Sequence, residues 1–153
     1  YGAFRIGLSK PEMFAGVASL SGACDIRMMA ETVKKMPVIE GDSKSFIPAF
    51  GEDCDIKDEQ DLYYLAKKVA EMTKEKQPLM TGKQDDLFFL HDQAKALGEY
   101  MKGLDLREFK YMAWDGVHDY TFWDRAILHT ISYFLQNDYD KKQIGLWTTE
   151  ATL

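Results

Sequence analysis

Two short stretches hold the side chains best suited to chemistry: TGKQDD over residues 81–86 and WDGVHDY over residues 114–120. An imidazole can take or give a proton near neutral pH. A carboxylate bonded to one of its ring nitrogens leaves the other free to accept a proton from a nucleophile. His118 is the candidate base, and Asp85 is the candidate acid. Asp86 stands beside Asp85 and reads as the cap of a helix beginning near Leu87, a role that suits Asp ahead of an apolar run. Asp119 reads as a cap or loop hydrogen-bonder for the last helix. His91 and His129 fall inside helical patterns with no metal-ligating partner three or four residues on, so they read as ordinary helix residues. The aromatic row Trp114, Tyr120, Phe122 and Trp123 reads as core, with a member available to line a substrate pocket.

The elements that hold these loops are legible in the hydropathy pattern. QPLMTG ahead of the first loop reads as a short buried strand. REFKYMAW ahead of the second reads as a strand with Phe109, Tyr111 and Ala113 on one face and Glu108, Lys110 and Met112 on the other. DEQDLYYLAKKVAEMTKEK places Leu62, Leu65, Ala66 and Val69 at helical spacing with lysines opposite. LFFLHDQAKALGEYMKGLD is a second amphipathic helix, with Gly103 as its stop, and TFWDRAILHTISYFLQN closes the chain's regular part as a long helix. Upstream, a helix runs to about Leu8, and AGVASLSGACD reads as a strand covered on both faces that closes on Gly22. From Ile26 to Asp61 the periodicity breaks down among Pro37, Gly41, Pro48 and Gly51, as an insertion over the body of the fold would. Alternating strands and helices indicate an α/β fold with a parallel sheet, whose functional groups collect just past the carboxyl ends of the strands.

At 153 residues and 46% hydrophobic, the chain can bury one core, and residues 1–153 are read as part of a single domain. The net charge of −6, with no clustered Lys and Arg, argues against a nucleic-acid partner. No stretch approaches the roughly 18 apolar residues of a membrane span, so no membrane partner is expected. Cys24 and Cys54 have no metal-like spacing and suit free thiols in a reducing, cytoplasmic setting, with secretion left open; neither metal nor cofactor is expected.

Asp first and His thirty-three residues later is the order in which α/β-hydrolases present the last two members of their triad, the serine coming earlier on a strand-turn-helix elbow. Ser21, in SLSGA, echoes that elbow faintly, but Ser19 and Ala23 stand where Gly is required, and it reads as strand-end structure. YGAFRIGLSKPEMFAGVASLSGACD resembles the segment that follows the Gly-x-Ser-Met-Gly-Gly elbow in the esterase D, tributyrin esterase and S-formylglutathione hydrolase group. TGKQDDLFFLHDQAKAL is similar to that group's acid loop, and GVHDYTFWDRAILHTISYFL to its histidine loop and final helix. The group often has Gly-Gly-His-Asp-Trp where this chain has Gly116-Val117-His118-Asp119-Tyr120.

The resemblance implies the C-terminal half of an α/β-hydrolase domain, with an insertion at 26–61 and a nucleophile four residues before Tyr1. It assigns the acid of Gly-x-x-Asp to Asp85 and the base of Gly-x-His-Asp to His118. The activity implied is serine-dependent hydrolysis of short-chain acyl esters or thioesters, needing the preceding segment for folding and for catalysis, with a homo-oligomer left open. Two alternatives stand beside it: a binding or scaffold protein that keeps the fold without the nucleophile, and an acyltransferase on the same fold.

Overall fold

The structure, a computed structural model, describes residues 1–35, 42–70, 77–104, 106 and 108–135. Its centre is β2 (Gln77–Gly82), which pairs in parallel with β1 (Ser19–Leu20) on one side and β3 (Phe109–Trp114) on the other. The β2–β3 register runs from Gln77↔Phe109 to Gly82↔Trp114, so the two strands end level and release their following loops side by side. All six residues of β2 are buried, Gln77 and Thr81 included, because the strand is central and covered on both faces.

Helices clothe both faces, as expected of a sheet built through crossover connections. On one face α1 (Gly2–Ser9), α4 (Leu62–Val69) and α5 (Leu90–Gly103) pack Phe4, Leu8, Leu65, Leu97 and Met101 against Leu79, Tyr111 and Ala113. On the other face α6 (Tyr120–Leu135) sets Phe122 and Ala126 on Met80, Met112 and Trp114. The alternation read along β3 is therefore correct, and Met112 on the second face is buried because α6 covers it. Strands and helices together make a mixed α/β fold, with a three-stranded parallel sheet and six α-helices among the described residues.

Three expectations need correction. β1 is only two residues long, because the chain leaves extended geometry at Ser21, where φ is +56°. The segment from Ile26 to Asp61 is not irregular: it contains α2 (Ile26–Lys35), α3 (Asp42–Phe50) and a 3-10 turn at Asp58–Gln60. Ile26, Ala30, Phe46, Cys54 and Ile56 form their own small core there, tied down by Arg27 to Asp58 at 2.8 Å and to Asp61 at 2.6 Å. The regular part of α5 starts at Leu90 rather than Leu87, since Phe88 and Phe89 both adopt left-handed backbone, at φ +48° and +58°. Among the described residues no helix is long and apolar enough to cross a membrane.

Candidate functional site

The loops after β2 and β3 are zipped together before either reaches its functional side chain. Lys83 N donates to Trp114 O at 2.8 Å and Gln84 N to Gly116 O at 3.0 Å, continuing the parallel ladder past the strand ends. The Gln84 side chain closes the zipper: its Oε1 accepts from Gly116 N at 2.7 Å and its Nε2 donates to Asp115 Oδ1 at 3.3 Å. So close an approach demands glycine at 82, where a Cβ would stand 2.3 Å from the carbonyl oxygen of Gly116.

From that platform Asp85 and His118 converge. Asp85 Oδ2 lies 2.9 Å from His118 Nδ1, with the carboxylate side chain fully buried and the imidazole 30% exposed. A carboxylate only accepts, so this contact assigns the proton to Nδ1 and leaves the Nε2 lone pair as the basic site. The Trp123 ring stands perpendicular to the imidazole, 5.0 Å away between ring centres. Asp119 caps α6, accepting from Phe122 N at 3.0 Å through its side chain, as its position indicates.

The other members of the row divide. Trp114 and Phe122 stack at 4.8 Å in the core, whereas Tyr120 is 79% exposed and rests against Trp123 alone of the row, so it is not core. Asp86 is exposed and makes no side-chain cap bond: its backbone oxygen, not its carboxylate, receives Phe89 N. A cavity of about 240 Å³ lies on the α6 side of the histidine loop, lined in part by Trp114, Val117, Thr121, Phe122 and Arg125. His91 lies in α5, where its backbone N donates to Asp85 O at 3.0 Å, and His129 lies in α6 against Trp114. Burial, helped by Arg125 and Lys110, holds the His129 imidazole below its ordinary value. Cys24 is buried, and its thiol is pushed up to about 12 by desolvation. Among the described residues no group of three or more His, Cys, Asp or Glu side chains could hold a metal ion.

Two further residues serve the pair, and pattern reading missed both. Ser21, read only as strand-end structure, donates its hydroxyl to Asp85 Oδ2, the oxygen that His118 also uses. Gln93 is buried in α5 and joins two loops: its Oε1 accepts from Cys24 N at 3.0 Å and Asp25 N at 2.8 Å, and its Nε2 donates to Phe88 O at 2.7 Å. That last bond holds the left-handed turn that follows the acid. A polar residue on the buried face of an otherwise amphipathic helix was the available signal for Gln93.

Neither the protein-family models nor the curated proteins searched give a match for this chain.

Proposed function

We propose that this chain supplies the acid and base of a serine carboxylesterase of the α/β-hydrolase fold, acting on short-chain acyl esters or thioesters. The observation that carries the reading is the 2.9 Å contact between Asp85 Oδ2 and His118 Nδ1, made by loops that leave neighbouring parallel strands at one end of the sheet. The resemblance to the esterase D, tributyrin esterase and S-formylglutathione hydrolase group includes the same two loops.

On this reading a serine four residues ahead of Tyr1 attacks the acyl carbonyl. His118 Nε2 takes the serine proton and returns it to the leaving alcohol or thiol, while Asp85 stabilises the imidazolium. Water then attacks the acyl-enzyme with the same base. Backbone N–H groups, one of them following the serine, would stabilise the oxyanion. The position of Tyr1 supports such an arrangement: its backbone N lies 2.7 Å from where a Cβ on Gly22 would stand, and Gly22 follows the serine that touches Asp85. Tyr1 N therefore lies at the end of β1, beside the serine bonded to the acid. The buried free thiols of Cys24 and Cys54 support a reducing compartment such as the cytoplasm.

The test is a serine-directed fluorophosphonate applied to the intact polypeptide that carries this chain, with p-nitrophenyl butyrate as substrate. The expected result is turnover of the ester and its loss on labelling of a single serine. A polypeptide that neither turns over the ester nor takes the label overturns the reading and favours the scaffold alternative.

A further inference from the structure

Asp85 Oδ2 receives two donors, the Nδ1–H of His118 and the hydroxyl of Ser21, whereas its Oδ1 is buried with no hydrogen-bond partner. The plane of the carboxylate is thus set through one oxygen. His118 is 30% exposed on the rim of the site, while Ser21 is 1% exposed and lies 64 residues from Asp85 in the chain. Ser21 is the more firmly held of the two donors, since its own N–H is bonded to Met80 O at 2.7 Å on the central strand.

The backbone at this position sharpens the point. Ser21 sits at φ +56°, in the left-handed region that favours glycine. A residue needed only to turn the chain out of β1 would be better served by glycine. A serine there keeps strain that its neighbours hold in place, and the group it brings is the hydroxyl on Asp85. Gln93 makes the meeting reproducible, because it ties Cys24 N and Asp25 N, just past Ser21, to Phe88 O, just past Asp85. The same geometry separates Ser21 from the nucleophile's role: its hydroxyl points at the carboxylate.

We infer that Ser21 is a positioning residue, which orients the Asp85 carboxylate toward His118 through a buried hydroxyl contact on Oδ2. The inference rests on the esterase reading only for its effect on turnover; its effect on the Asp85–His118 contact stands apart from it.

The experiment uses Ser21→Gly and Ser21→Ala in the intact polypeptide. Both variants remove the hydroxyl, and the glycine variant also relaxes the left-handed backbone, so it keeps the fold if the alanine variant does not. The expected result for Ser21→Gly is a cooperative thermal transition, relief of the left-handed backbone offsetting part of the lost hydrogen bond. Its kcat for p-nitrophenyl butyrate falls about tenfold or more with KM within about twofold, and the low-field proton resonance of His118 Nδ1–H shifts or broadens. Parental kcat together with a parental Nδ1 resonance in Ser21→Gly overturns the inference. If the parent shows no ester turnover but the resonance still moves in Ser21→Gly, the esterase reading fails and the positioning of the pair stands. If turnover depends on His118 but neither kcat nor the resonance responds to Ser21→Gly, the inference fails and the esterase reading stands.

Discussion

At Asp85 and Asp86, two adjacent carboxylates differ in almost everything but chemistry. Asp85 is buried and bonded to both His118 and Ser21, whereas Asp86 is exposed and uses only its backbone in the turn that follows. Asp85→Asn replaces an acceptor that holds the Nδ1–H tautomer with an amide able to present the wrong group, so on the proposed esterase reading kcat is expected to fall by about a thousandfold or more. Asp86→Asn is expected to stay within about threefold, and steady-state kinetics on p-nitrophenyl butyrate measures both. The distinction was open in the sequence, where the doubled Asp offered two acids and a nearby helix offered one of them a cap. The Asp119 cap and the placement of His118 were legible because they depend on local features, the first turn of a helix and a loop past a strand. Ser21 and Gln93 were not, since their partners lie 64 to 69 residues away for the contacts that matter and periodicity reports only near neighbours.

Among the elements, the zipper between the β2 and β3 loops decides how tightly the pair is held. Gly82→Ala would place a methyl 2.3 Å from a backbone carbonyl, an atom that cannot rotate away. The loops must part, and the expected loss is about 1–3 kcal/mol of stability, read by urea denaturation. Helix α6 offers a pH-dependent test. Burial holds the His129 imidazole below its ordinary value of 6.5, so on acidification the unfolded chain binds that proton before the native chain does. Stability is therefore complete above about pH 6.5 and declines as pH falls below it, with the native state disfavoured by the unmatched proton. His129→Gln is expected to flatten the fall in melting temperature between about pH 7 and pH 5. The β2–α5–β3–α6 succession was readable because its apolar spacing is regular. The α2 and α3 helices were hidden by the breakers around them, Pro48 lying inside α3 itself. At α5 the helical pattern was correct and its start was misplaced, because nothing in LFF announces two left-handed residues.

Taken whole, the described residues form a parallel sheet with α1, α4 and α5 on one face and α6 on the other, and the candidate site lies at one end. β2 and β3 end in register, so the acid and the base arrive together. Ser21, just past β1, lies beside the acid, and Tyr1 starts against Gly22. Three strand ends and the start of α1 therefore meet at the carboxyl edge of the sheet, which is where an open parallel sheet places its ligands. The account's central claim is that His118, held by Asp85, is the general base for an acyl transfer to a serine. The most direct measurement is kcat/KM for p-nitrophenyl butyrate with the intact polypeptide and its His118→Ala variant, each checked for an unchanged melting temperature. The account expects a loss of about a thousandfold or more, because base and nucleophile act as a unit. A His118→Ala variant that keeps its turnover within about tenfold of the parent would contradict it.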